Sequence, residues 1–255
     1  MEIKRETLRP IKEWVMYWRK YMPRLGTRKL YQLIKPKLVE QGIKLGRDGL
    51  FRYLRQEGLL VKPKKSYTKT TFSKHWMKKH PNLLKDKVPS KPEEVYVSDI
   101  TYVESEQGVH YLSLVTDAFS RKIVGYHLSN EMKAADVVKA FKMTIKNRRY
   151  KHDAIHHSDR GSQYSSALYQ SVLEQNNIKP SMTDGYDCYQ NALAERINGI
   201  LKQEFLLYKC ASLDELSQLV KESIEIYNEM RPHLSLDMKT PNKVHIMKSQ
   251  RLTLA

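Results

Sequence analysis

The stretch from Gln190 to Phe205, QNALAERINGILKQEF, places Leu193, Ile197, Ile200 and Leu201 at spacings of three and four. That stripe predicts an amphipathic helix packed on a core. At about 100° per residue, Asn191, Glu195, Asn198 and Lys202 project within roughly 60° of one another on the opposite side. One acid, two amides and one ammonium therefore share a face. Alone, such a face is a solvated helix surface. Two upstream acids give it another meaning. Asp99 sits at the centre of the β-rich run VYVSDITYV, and Asp159 follows the short apolar-flanked segment AIHHS just before Gly161. Thirty-five residues lie between Asp159 and Glu195.

An acid on a strand, an acid at the end of another strand and an acid on a helix, the last two with that gap, resemble the DDE triad of insertion-sequence transposases and retroviral integrases. The words SDITYV, YLSLVTDAFSRKIVGY, HSDRGSQY, CYQNALAERINGILKQE and YNEMRPHLSL occur in this order between Val95 and Leu236. Together they look like the second-frame, OrfB-type transposase of the insertion-sequence-three family. The resemblance implies Asp99, Asp159 and Glu195 as catalytic and metal-binding residues. Three carboxylates brought together repel one another and raise a pKa unless a counter-charge intervenes. Two divalent ions about 3.5 to 4 Å apart remove that penalty, activate an attacking hydroxyl and stabilise the leaving 3′ oxygen of an in-line phosphoryl transfer. Mg²⁺ suits such oxygens and Mn²⁺ substitutes for it. On this reading Asp99 is the shared ligand and Asp159 and Glu195 hold one ion each. Water first frees a 3′ hydroxyl, which then attacks a second DNA site without a covalent protein intermediate.

Smaller expectations attach to neighbouring residues. Lys202, Asn191 and Asn198 are candidates to hold the phosphate beside the scissile bond. His157 and Arg160 frame Asp159, to orient it or to meet phosphate. Gly161 makes the turn after the strand. Asp117, in VTDAFSR, stays outside the metal site as a turn residue.

These acids need elements to carry them. Val95 to Glu104, Val109 to Asp117 and Lys122 to Ser129 read as three strands of an antiparallel meander. Ala134 to Tyr150 reads as a helix, Ala154 to His157 as a strand, Ala167 to Asn176 as a helix and Lys179 to Met182 as a last strand. The order βββαβαβα is that of the α/β ribonuclease H-like fold, which the resemblance also implies. There the first and fourth strands lie side by side, so Asp99 and Asp159 meet and Glu195 reaches over from its helix. A further amphipathic helix carries Leu213, Leu216, Val220, Ile224, Tyr227 and Met230, and Arg231 and His233 dock the tail on the core. No separate C-terminal domain is expected.

At 255 residues the chain suits one sizeable core and a smaller appendage. Its net charge of +17 is unevenly spread: residues 1–92 hold 25 Lys and Arg against 7 acids, and residues 93–255 hold 20 against 21. A basic block beside a neutral domain points to a polyanion, above all DNA. Two cysteines, Cys188 and Cys210, make neither a disulfide framework nor a zinc site, and read as reduced thiols. No apolar run approaches the ~20 residues of a membrane span. A bacterial cytoplasmic, nucleoid-associated protein is the expectation.

Within the basic block, residues 1–61 read as a small all-α, helix-turn-helix-like domain. Glu6 to Tyr21 turns Leu8, Ile11, Trp14, Val15 and Trp18 inward. Leu25 to Gln41 turns in Leu30, Leu33, Ile34 and Leu38, with a kink at Pro36. Arg47 to Gln56 turns in Leu50, Phe51 and Leu54 and presents Arg47, Arg52 and Arg55 to DNA. Residues 62–92, with ten lysines, four prolines and one acid, read as a linker that lies along the phosphate backbone. Residues 93–208 form the catalytic core and 209–255 a packing tail.

Two departures from the family stand out: the loop Thr183 to Tyr189 carries two acids where basic or small residues are usual, and Gln190 replaces an Asp. Rival functions are a covalent tyrosine recombinase, reading HSDR as H-x-x-R with Tyr186 or Tyr189 as nucleophile, and a domesticated DNA-binding protein with an inactive core. A ribonuclease for RNA–DNA hybrids would share the fold. The resemblance further implies transposon inverted-repeat ends and target DNA as partners, a homo-oligomer on DNA and an upstream-frame OrfA-type protein.

Overall fold

The computed structural model describes residues 5–62, 77–85, 88–184 and 191–246, with the side chains of residues 5–8 excepted. Cys188, Tyr186, Tyr189, Gln190 and much of the predicted linker lie outside the described residues.

Five strands form one sheet in the order β3-β2-β1-β4-β5. Strands β1 (Val95–Ser105), β2 (Gly108–Asp117) and β3 (Ile123–Ser129) make the antiparallel meander that the sequence predicts. On the other side of β1, β4 (Ala154–Ser158) and β5 (Ile178–Met182) add in parallel. Their connections are helical, as parallel pairing requires: α4 (Ala134–Lys146) leads to β4, and α5 (Ser162–Ser165) with α6 (Ala167–Gln175) leads to β5.

Period-two alternation along β1 assigns its residues to two faces. Tyr96 and Ile100 pack with Phe141 of α4 and with Tyr169 and Leu173 of α6. Val97, Asp99, Thr101 and Val103 point the other way, toward α7 (Ala192–Ile200) and the π-helical turn Leu201–Phe205 that prolongs it. Close approach of α4 to the sheet is set at Gly125, where an added Cβ would fall 2.2 Å from the Ala140 carbonyl and from Thr144 Oγ1. Helix α4 ends at Lys146, short of the predicted Tyr150, because the Glu93 carboxylate accepts the Arg149 and Tyr150 amides instead.

Helices α1 (Arg5–Tyr21), α2 (Thr27–Glu40) and α3 (Arg47–Gln56) match the predicted trio, and α2 runs through Pro36 without ending. Ile11, Val15, Leu30, Ile34, Leu50 and Leu54 are buried as expected. Phe51 is not: it is 39% exposed beneath the Arg55 guanidinium, and Tyr53 takes the inward place. This trio is not a separate bead. Its core runs on into Val103, Leu112 and Leu114 of the sheet, Leu201 and Phe205 of the π turn, and Leu216, Val220 and Tyr227 of α8 (Leu213–Glu229). A short α9 (Pro241–Ile246) completes the described chain.

The expected linker is partly fixed. The Pro81 carbonyl accepts the Met182 amide, the Leu83 amide donates to Ser181 Oγ, and Leu84 packs with Val95, Val97 and Ile155. This strap runs along the outer side of β5, where an edge strand otherwise leaves backbone groups unpaired. Three apolar residues in a lysine-rich stretch suffice because the sheet, not the segment, supplies the rest of the contact.

Candidate active site

Parallel pairing sets Ser98 of β1 opposite Ser158 of β4, so the next residue on each chain, Asp99 and Asp159, emerges at the same level. Asp159 Oδ1 accepts the Gly161 amide at 3.0 Å. Gly161 has an ordinary extended backbone, φ −62° and ψ 144°, so it is not required for an unusual turn. Its lack of a side chain matters for space: an added Cβ would lie 3.0 Å from Asp159 Oδ1 and 3.3 Å from Gln163 Oε1. Burial, followed by the Asp159 charge, pushes Asp99 up to about 7, against the lowering effect of its Asn198 hydrogen bond. Glu195 is raised too, by burial and then by Asp159. The three acids thus feel one another across β1, β4 and α7.

The helix that brings Glu195 is oriented differently from its sequence pattern. Asn191 and Asn198 do not lie on a solvated face; each is only 4% exposed. Asn191 Nδ2 donates to the Ser98 carbonyl at 3.1 Å, and Asn198 Nδ2 donates to Asp99 Oδ2 at 2.8 Å. The amides border the apolar stripe of Ala194, Ile197 and Leu201 and turn with it toward β1. As phosphate contacts they are corrected to fasteners of α7 on the strand. Glu195 alone faces out, and among the described residues it has no hydrogen-bond or ion-pair partner. Lys202 is half-buried at the rim, its Nζ 3.4 Å from Thr101 Oγ1; burial lowers its pKa while Glu104 and Asp99 work to raise it.

Arg160 braces the site, its Nε donating to the Thr183 carbonyl at 2.6 Å. His157 is fully buried and bonded through Nδ1 to Ser181 Oγ at 2.8 Å, which removes it from any contact with phosphate. Asp117 accepts the Glu93 and Ser120 amides and faces His245, a structural role as expected. Arg47, Arg52 and Arg55 are exposed on α3, away from the three acids in sequence and element; Arg47 Nε bonds Asp48 at 2.8 Å.

Beneath β1 lies a polar group that sequence reading missed. His156 Nε2 contacts Ser98 Oγ at 2.7 Å and Tyr169 Oη at 2.8 Å. Burial and the neighbouring His157 hold its pKa down to about 3, so a neutral imidazole fixes the strand beside Asp99. The signal, a second histidine in HHSD, was in plain view, but period two sends it to the opposite face.

All potential cation donors at the acids are oxygens, and their charges oppose one another, which suits a hard divalent ion. No group of three or more His, Cys, Asp or Glu side chains among the described residues is already disposed to hold a metal.

A mixed sheet in this order, with acids on its first strand, after its fourth and on a facing helix, defines a ribonuclease H-like polynucleotidyl transferase. The sequence profile described as "Integrase core domain" matches residues 89–188, and a second of the same description matches 176–241. The 31 kDa protein of insertion element IS600 from Shigella sonnei is 38% identical over 219 residues, 85% of this chain and 79% of that one. Transposase InsF for insertion sequence IS3A of Escherichia coli is 35% identical over 152 residues, 59% of this chain and 53% of its own. A putative transposase of IS986/IS6110 from Mycobacterium tuberculosis is 32% identical over 187 residues, covering 71% and 66%. In fold, the chain is similar to the HTLV-2 integrase catalytic core (TM-score 0.50, 20% identity, 61% of this chain and 97% of that one). It is also similar to a chain of the simian T-cell lymphotropic virus intasome (TM-score 0.56, 15% identity, 92% and 76%). The chain belongs to the insertion-sequence-three family of DDE transposases, enzymes that cut and join DNA strands.

Proposed function

We propose that Asp99, Asp159 and Glu195 hold two divalent cations, Mg²⁺ with Mn²⁺ as substitute, and that this site performs both cleavage and strand transfer. The observation that carries the reading is the parallel register of β1 and β4, which sets Asp99 beside Asp159, with α7 fastened over them through Asn198. The oxygen donor set and the raised pKa values of Asp99 and Glu195, each through burial and then the Asp159 charge, support it. The HTLV-2 integrase core was solved in complex with magnesium. When bound, such ions polarise the attacking hydroxyl and stabilise the leaving 3′ oxygen. Asp99, central on β1, is the shared ligand; Asp159 and Glu195 approach from either side. Lys202 at the rim contacts the phosphate beside the scissile bond, while Arg160 keeps the loop after β4 against that after β5. His157 lies in β4 and Arg160 in the loop beyond, an arrangement that does not suit the helical H-x-x-R box of a covalent recombinase.

The basic N-terminal module holds DNA, with Arg52 and Arg55 of α3 reaching phosphates and Arg47 sharing its charge with Asp48. Transposon ends and target DNA are its ligands, a homo-oligomer forms on them, and an upstream-frame OrfA-type protein supplies further end recognition.

Replacing Asp99, Asp159 or Glu195 singly by Ala tests the assignment. Cleavage and joining of a duplex carrying the inverted repeats that flank the coding sequence should disappear in Mg²⁺, with DNA affinity unchanged within about twofold. Retained cleavage in any one variant removes that residue from the site. Tyr186→Phe and Tyr189→Phe should both remain active.

A further inference from the structure

Glu195 has no bond of its own among the described residues, so its place is set by the helix that bears it. That helix passes without interruption through Leu201 (φ −59°, ψ −48°) into the π turn, which closes with the Leu206 amide on the Leu201 carbonyl at 2.9 Å. The turn divides its two charged side chains between opposite anchors. Lys202 goes to Thr101 on β1, and Glu204 goes to Arg231 beyond α8.

Arg231 is the largest fully buried side chain of the described chain, 2% exposed. It grips Glu204 with two parallel bonds, Nε to Oε2 at 2.8 Å and Nη2 to Oε1 at 2.5 Å, a fork geometry with strong directional preference. Its Nη1 contacts His233 Nε2 at 3.1 Å. Burial and Arg231 hold His233 neutral, its pKa down to about 3, so the imidazole can accept that bond. A third group enters from the N-terminal helices: Lys29 Nζ on α2 lies 3.6 Å from Glu204 Oε1, with both side chains 18% exposed. One carboxylate thus receives both the C-terminal segment and the N-terminal module, nine residues along the chain from Glu195.

We propose that Lys29, Glu204 and Arg231 are positioning residues for Glu195, so that docking of the N-terminal helical module sets the angle of the active-site helix. The inference rests on the assignment of Glu195 made above. Burial and the Arg231 charge both oppose the Lys29 ammonium, lowering its pKa to about 8, so its contact with Glu204 exists only while the module is docked against the turn. Without Lys29, Glu204 follows Arg231 alone, α7 shifts about its Asn191 and Asn198 fastenings, and the Glu195 carboxylate leaves its place near Asp99.

The test is single-turnover cleavage of the flanking-repeat duplex, at saturating DNA and Mn²⁺, by full-length Lys29→Met, Lys29→Arg, Glu204→Gln and the Lys29→Met/Glu204→Gln pair. Lys29→Met should lose about tenfold in rate, since small misplacement of a reacting group is costly, while its DNA dissociation constant stays within about twofold. Lys29→Arg should restore the rate. In the Glu204→Gln background, Lys29→Met should cost nothing further. Hydrogen exchange across residues 192–205 should quicken in Lys29→Met and return in Lys29→Arg, a readout independent of turnover. A Lys29→Met enzyme with wild-type rate, a loss that appears only as weaker DNA binding, or additive losses in the pair would each overturn the proposal. Glu195→Gln, assayed alongside, separates the two claims: if it still cleaves, the assignment of Glu195 fails, whatever the Lys29 variants show.

Discussion

Burial and then the Asp159 charge oppose the ionisation of Asp99 and raise its pKa to about 7. Its unfolded value is near 4. Between about pH 4 and 7 the native state therefore binds more protons than the unfolded chain, and stability falls as pH rises through that window. Asp99→Asn should flatten this dependence and raise the melting temperature of metal-free protein at pH 8. Thermal unfolding in chelator across pH 4 to 8 measures it; a variant with the same slope as wild type would show that Asp99 is not raised in the folded state. Asn198 has the converse task, giving Asp99 one donor while its own buried Oδ1 has no partner among the described residues. Sequence pattern placed Asn198 on the right helix but on the face of Glu195 rather than against Asp99, because periodicity could not say which way the border of the stripe would roll. Gly161 shows the same limit: its position beside Asp159 was legible, whereas the reason for glycine, room rather than backbone freedom, needed coordinates.

Sequence reading left out the C-terminal latch, as it did the short α5. His245 on α9 sits between two buried carboxylates, Nδ1 3.3 Å from Asp117 Oδ2 and Nε2 3.3 Å from Glu93 Oε1. Burial opposes its charge, but the bonds to Asp117 and Glu93 outweigh it and the pKa rises. Burial likewise opposes Glu93, yet His245 and the Arg149 and Tyr150 amides draw its pKa down. A raised histidine stabilises below its unfolded value of about 6.5 and loses that contribution as pH rises through the folded value. A depressed glutamate stabilises above about 4.3 and loses it as pH falls through the folded value. The latch is therefore tightest between about pH 4.3 and 6.5. His245→Gln should lower the melting temperature more at pH 6 than at pH 9; an equal loss at both would mean that the imidazole acts uncharged. Six residues of α9 carry too short a period to be recognised, and their partners are 128 and 152 positions away. By contrast the strands, α1 to α4 and α8 were legible, since each buries a face long enough to fix its period. The π turn was not: Leu201 to Phe205 continues the helical stripe, and the change of winding shows only in the backbone bond from the Leu206 amide to the Leu201 carbonyl.

For the whole molecule, charge separation is the property most plainly written in the chain, with the excess confined to residues 1–92. If that block makes about six phosphate contacts, log K should fall against log salt with a slope of roughly −5. Arg52→Ala and Arg55→Ala should each reduce the slope by about 1. Unchanged slopes would move the DNA path off α3. The module's apolar continuity with the sheet also means that binding and chemistry share one framework: Leu30 and Ile34 on α2 belong to the same core as Leu201 and Phe205. That arrangement was not legible, because each helix pattern names its own inward face and not the surface that the face meets.

The claim on which all of this turns is that Asp99 binds a divalent ion during strand cleavage. Replacing it by Cys substitutes a soft ligand for a hard one, which disfavours Mg²⁺ and tolerates Mn²⁺ better. The decisive measurement is the cleavage rate of Asp99→Cys on the flanking-repeat duplex in Mg²⁺ and in Mn²⁺, with DNA affinity held equal to wild type. The account predicts no cleavage in Mg²⁺ and recovered cleavage in Mn²⁺. Cleavage in Mg²⁺ at the wild-type rate, or none in either ion with the fold and DNA binding intact, would contradict it.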